Sequence, residues 1–153
     1  MSGPILSGPT CHLSWTELAC WDRRSMPWSL EAVYPLDWRE TRAIQLGEAF
    51  EVIREACGHR PIVIGSAYRT PEYNALVGGV PNSQHVQGRA LDLYPPEGMA
   101  VAEFFDLIRR LAPATMVRFV KIYPTWGVHV DCRPSGVFKI DSSLRPGPEL
   151  PEP

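Results

Sequence analysis

Residues 116–140 read MVRFVKIYPTWGVHVDCRPSGVFKI, and the fold depends on how this stretch is divided. It contains three short runs, MVRFVKIY (116–123), GVHVDC (127–132) and GVFKI (136–140), joined by short links. The second link holds Pro134-Ser135-Gly136, a tight-turn composition that joins two strands. Runs of this length predict strands, and links this short favour antiparallel pairing, so the predicted class is α+β, a small antiparallel sheet flanked by helices. Within GVHVDCR (127–133), Val128, Val130 and Cys132 alternate with His129, Asp131 and Arg133. Alternation puts the two sets on opposite faces. A His-Asp-Arg face is either a site or the solvent side of a strand, and the strand alone leaves both open.

Working outward, PIVIGSAYR (61–69) and RALDLY (89–94) read as two more strands. A long helix is predicted over 38–57, where Ala43, Leu46, Phe50, Ile53 and Cys57 recur at helical spacing and Gly58 supplies the stop. Thr70-Pro71 opens a short helix that ends at Gly78-Gly79. Val101, Phe104, Ile108 and Leu111 form one face of another helix, stopped before Pro113. Near the start, Ser14-Trp15-Thr16-Glu17 has the form of a capping box and predicts a short helix over 15–20. The stretch from there through Pro35 reads as loop, with Trp21 and Trp28 packed onto the body.

The chain has 153 residues, 44% of them hydrophobic and 21% charged, which is one domain with an ordinary core. Two prolines fall in residues 1–10 and four in 143–153, so a flexible N-terminus (1–10), a folded body (11–142) and a disordered Pro-rich tail (143–153) are expected. The net charge of −2 argues against a nucleic-acid partner. No stretch approaches the ~20 apolar residues of a membrane span, and the protein is expected to be a monomer. MSGPILSGPT contains no Lys or Arg and does not read as a secretory signal, so synthesis in the cytoplasm is expected. The four cysteines show no CxxC spacing and read as small apolar residues in a reducing compartment; a Cys11–Cys20 pair stays open.

Of the four histidines, His12 and His59 sit beside predicted helix ends. His85 lies in the glycine-flanked loop GGVPNSQHVQG (78–88), and Asp92 follows inside a strand otherwise apolar at Ala90, Leu91 and Leu93. A carboxylate buried in a strand needs a partner. His85, Asp92 and His129 together supply two imidazoles and a carboxylate, a set that suits a catalytic Zn2+ with its fourth position left for water.

The run SAYRTPEYNALVGGVPNSQHVQGRALDL (66–93), followed by GVHVD (127–131), resembles the M15 family of zinc peptidases. That family includes zinc D-Ala-D-Ala carboxypeptidases and phage endolysins acting on peptidoglycan. The shared pattern is S-x-x-R, N-x-x-V-G-G and S-x-H-x-x-G-x-A-x-D-L. The resemblance implies the α+β fold shared with the hedgehog signalling domain, one Zn2+ held by His85, Asp92 and His129, and a peptidoglycan stem or cross-link peptide as substrate. It implies that Arg69 contacts the substrate carbonyl and stabilises the tetrahedral intermediate. Ser83 matches a serine that orders the loop or touches substrate. Many members place an acidic general base three positions before the second histidine; here that position is Trp126. Asp131, on the same strand face as His129, is expected either to replace the base or to orient a ligand or Arg69. The implied activity is hydrolysis of a peptidoglycan amide bond, of carboxypeptidase or endopeptidase type. The alternative is a non-catalytic, zinc-stabilised wall-binding module. A third expectation, a phage-encoded chain released at lysis or carried on a virion, follows from the absence of an export signal.

Overall fold

A five-stranded sheet carries the molecule, and a computed structural model describes it over residues 7–143. In chain order the elements are α1 (Trp15–Leu18), β1 (Cys20–Asp22), β2 (Ser29–Ala32), α2 (Arg42–Ala56), β3 (Ile64–Ser66) and α3 (Pro71–Leu76). They continue with β4 (Ala90–Leu93), α4 (Val101–Leu111), β5 (Phe119–Tyr123), β6 (Gly127–Asp131) and β7 (Lys139–Asp141). The strand order is β3-β4-β6-β5-β7, with β1 and β2 forming a separate two-stranded ribbon. The class is α+β, as the run of short strands implied.

The sheet is mixed rather than wholly antiparallel. β7 pairs with β5, and the two run parallel. The expected hairpin between the last two strands does not form, because β4 and β5 already occupy both edges of β6. The chain does reverse after β6, as Pro134-Ser135-Gly136 implied, but it passes β5 and lands one strand further out. The β1–β2 ribbon is a second correction, since this stretch reads as loop. Its strands are short, and β2 is mostly exposed, so no alternation marks it. Within it Trp21 donates from Nε1 to the Thr16 carbonyl, and Arg23 lies over the Trp28 ring.

One face of the sheet is the core. Leu91, Leu93, Val120, Val128 and Val130 are all buried there with Leu46, Phe50, Ile53, Phe104 and Ile108 from the helices. α4 lies on β5 and β6, and α2 packs on α4. Each such side chain removed from water contributes on the order of 2 kcal/mol. α2 starts at Arg42 rather than 38, because Leu36–Trp38 makes its own 3-10 turn. It ends at Gly58, whose φ of +76° allows His59 N–H to reach the Arg54 carbonyl (3.0 Å) and Gly58 N–H the Glu55 carbonyl (3.0 Å). That is a Schellman stop.

Ser7 to Thr10, expected to be flexible, are joined to the body. Trp15 N–H donates to the Ser7 carbonyl (2.8 Å), and Thr10 Oγ1 donates to Glu51 (2.8 Å). The rest of the expected N-terminal segment (1–6) and the tail from 144 lie outside the described residues. No helix among the described residues is long and apolar enough to cross a membrane. All four cysteines are free; Cys20, Cys57 and Cys132 are buried, whereas Cys11 is exposed.

Candidate metal centre

The other sheet face brings chemistry together by register. Ser66 of β3 pairs with Asp92 of β4, Asp92 with His129 of β6, and His129 with Lys121 of β5. A polar row therefore crosses the sheet, and the strand period of two keeps these side chains off the core face. His85 joins the row from the loop between α3 and β4. That loop is held from both sides. Thr70 caps α3, accepting from Tyr73 N–H, and Asn74 donates from Nδ2 to the Val80 carbonyl (2.7 Å). On the other side the Tyr34 hydroxyl donates to the Gly88 carbonyl (2.6 Å), and Arg42 to the Gln87 carbonyl (2.7 Å). Gly88 sits at φ +68°, and a Cβ there would come within 2.6 Å of the Trp38 ring. Only glycine fits that turn.

The two imidazoles are oriented differently. His85 Nδ1 is 2.6 Å from the Ala67 carbonyl, which cannot donate, so Nδ1 carries the proton and Nε2 is left as an acceptor. Nε2 lies 3.1 Å from Asp92 Oδ2. His129 presents Nδ1 to Asp92 Oδ1 (2.9 Å) and Nε2 to Asp131 Oδ2 (2.8 Å). One ligand atom from each of His85, Asp92 and His129 lies within 4.8 Å of the other two, and all three residues are buried. Burial opposes charge on both rings. In His85 burial prevails, aided by the Arg69 charge, and the pKa is lowered despite Asp92. In His129 burial is outweighed by hydrogen bonds to Asp131 and Asp92, which push the pKa up to about 9. Burial likewise opposes ionisation of Asp92, but the two histidines hold its carboxyl well below the usual range. A buried carboxylate facing two imidazole nitrogens is a donor set that a divalent cation of the zinc type satisfies.

A second layer fixes these groups. The buried Arg69 donates from Nε to Ser66 Oγ (3.0 Å), from Nη1 to Asn74 Oδ1 (3.3 Å) and from Nη2 to Asp92 Oδ2 (3.3 Å). Asp131 is fully buried and both its oxygens are bonded. Oδ1 accepts from Arg133 Nε (2.8 Å) and N–H (3.2 Å), and Oδ2 accepts from Arg133 Nη2 (2.8 Å) beside His129. Burial resists its ionisation, but the Arg133 and His129 hydrogen bonds prevail and lower its pKa. Ser83 Oγ accepts from His85 N–H (3.2 Å), which orders the loop.

These groups open into a cleft of about 450 Å³. His85, Asp92, His129, Asp131, Arg69 and Ser83, singled out in the sequence, all line it. His12 and His59 do not; His12 pairs instead with Glu51 (2.6 Å). Three further features were not assigned from sequence. Tyr123 and Trp126 stack at 4.7 Å to form one wall. Arg133 lies over the Phe119 ring at 4.2 Å. Gln84 carries a buried side-chain oxygen with no protein partner among the described residues. For Phe119 and Tyr123 the signal was available: the burial of β5 alternates, and both fall on the face of Lys121.

No curated protein matches the chain significantly. The family model described as Peptidase M15 matches residues 12–131, from just before α1 to the last residue of β6. The matched span covers most of the chain and contains all three members of the buried His-Asp-His cluster, so the chain belongs to the Peptidase M15 family.

Proposed function

We propose that this protein is a zinc-dependent peptidase that hydrolyses an amide bond in peptidoglycan peptides. The observation that carries the proposal is the buried His85–Asp92–His129 triangle at the floor of an open cleft, with Arg69 beside it. His85 Nε2, an Asp92 oxygen and His129 Nδ1 would hold one zinc ion. When bound, zinc polarises a carbonyl oxygen and acidifies water. Arg69 keeps Asp92 aimed inward and has N–H groups beyond its three protein bonds. In this reading they meet the negative charge that develops on the substrate carbonyl oxygen. Asp131 takes the orienting role: it holds the proton on His129 Nε2 and so leaves Nδ1 to face the cluster. The stacked Tyr123–Trp126 wall excludes water from one side of the peptide.

A second reading is favoured by one observation. The only carboxylates among the described cleft-lining residues are Asp92 and Asp131, and both are fully engaged. A cleft with no free proton acceptor fits a non-catalytic module that keeps zinc for stability and binds wall peptide. Zinc-loaded protein incubated with purified cell wall, assayed for released amino groups, separates the two. Release above a metal-free control supports the peptidase; no release at full zinc occupancy leaves the binding module.

A further inference from the structure

Arg133 lies two residues beyond the span that matches the family, and its arrangement suggests a use that positioning alone does not exhaust. Its guanidinium donates through Nε and Nη2 to Asp131, and these two groups form one edge of the planar fork. The other edge, Nη1 with the second hydrogen of Nη2, has no partner among the described residues. Phe119 covers one face of the group, and about a third of the side chain remains exposed at the cleft. A guanidinium anchored on one edge and stacked on a ring has little orientational freedom left to lose. It is therefore prepared to receive a second carboxylate with both oxygens.

The charge of the cleft points the same way. Arg69 and Arg133 balance Asp92 and Asp131, and Arg69 is bonded to Asp92 as Arg133 is to Asp131. No further acid among the described residues lines the cleft. With a divalent ion in the His-Asp-His triangle the cleft carries a net charge of about +2, which attracts an anion and repels a cationic peptide.

We infer that Arg133 reads a free carboxylate on the substrate through its open Nη1/Nη2 edge, and that the cleft selects anionic peptides. This inference rests on the peptide substrate proposed above. The Asp131 carboxylate and the His129 ring link the guanidinium to the Nδ1 face. The recognised carboxylate therefore lies within a few residues of the bond cleaved, at ~3.3–3.6 Å of reach per residue.

The test uses zinc-loaded full-length protein and a short wall stem peptide in free-acid form, beside the same peptide with each carboxylate converted singly to a carboxamide. Binding is measured by calorimetry, cleavage in parallel, and zinc content for every variant. In the parent protein, one conversion is expected to weaken binding about tenfold, the scale of a charge-assisted bond. In Arg133→Ala that gap shrinks to within twofold, and Arg133→Lys retains part of it. Where a variant fails to fold or load zinc, the Arg133 side-chain N–H resonances of the parent decide. They shift with the acid and stay in place with the amide if the inference holds. An acid–amide gap that persists in zinc-loaded Arg133→Ala overturns it, as do unmoved resonances. Equal binding and cleavage of acid and amide overturn it while leaving the peptidase reading standing. An Arg133-dependent gap without cleavage supports it and removes only the peptidase.

Discussion

The two imidazoles of the cluster turn different nitrogens inward, and each choice is made by a neighbour that is not itself part of the triangle. The Ala67 carbonyl takes the Nδ1–H of His85, so Nε2 faces Asp92; Asp131 takes the Nε2–H of His129, so Nδ1 does. Replacing His85 by Ala removes one donor, and zinc content measured by elemental analysis should fall from about one ion per chain to a small fraction. Asp131→Asn keeps size and shape but lets an amide N–H face the ring, which disfavours the Nε2–H tautomer. Zinc affinity by chelator competition should then weaken about 10- to 100-fold with the fold retained. An unchanged affinity would mean that Asp131 does not act through His129. The triangle was legible in the sequence because His85, Asp92 and His129 stand in an ordered motif on a loop and two strands. The grip of Arg133 on Asp131 was not. Alternation put both residues on one face, but no spacing rule says that a side chain folds back onto a neighbour two positions away.

Among the elements, the loop that delivers His85 and the edge strand β7 show what local pattern does and does not specify. The loop is bounded by glycines whose need is conformational, and that much is visible in GGVPNSQHVQG (78–88). Its clamps, Tyr34 and Arg42, come from 45 or more residues away and are beyond any local rule. Gly88→Ala would strain a φ of +68° and drive a Cβ into the Trp38 ring. A loss of about 2 kcal/mol in chemical denaturation is expected, together with weaker zinc binding. The placement of β7 was illegible for a different reason, since which edge is vacant is a property of the assembled sheet. β7 is tied to β5 by the Lys121–Asp141 pair (2.9 Å). The hydrogen bond from Lys121, with those of Ser143, lowers the Asp141 pKa. A depressed carboxyl contributes stability that is present above its unfolded value of ~3.9 and lost as pH falls through the lower folded value. Asp141→Asn should therefore flatten the acid limb of stability below about pH 4 by at most ~1 kcal/mol, because the pair is partly exposed. Denaturation curves at pH 3 and 6 check this.

At the scale of the whole molecule, the cluster joins three segments that are distant in sequence: the loop after α3, β4 and β6. A cation held there binds the folded chain and has no comparable site in the unfolded one, so it stabilises by mass action, about 2.7 kcal/mol at a free concentration 100 times Kd. For a chain of this size that is a rise in Tm of roughly 5–10 °C, and chelation should reverse it. The size of the effect depends on pH through His129. In the metal-free protein this ring is held protonated up to about 9, above its unfolded value of ~6.5. A raised folded pKa contributes stability that is complete below the unfolded value and lost as pH rises through the folded one. The metal-free protein should thus lose stability between about pH 6.5 and 9. The zinc-loaded protein, in which Nδ1 holds the ion instead of a proton, should not. Below about pH 9 the ion must displace that proton, so apparent affinity rises with pH and binding at pH 7 releases at least about one proton per ion. Calorimetric titration of zinc in two buffers of different ionisation enthalpy measures that number directly, and melting curves at pH 7 and 9 with and without chelator measure the widening gap. A release near zero at pH 7, or a gap that narrows with pH, would show that the His129 proton is not what the metal replaces.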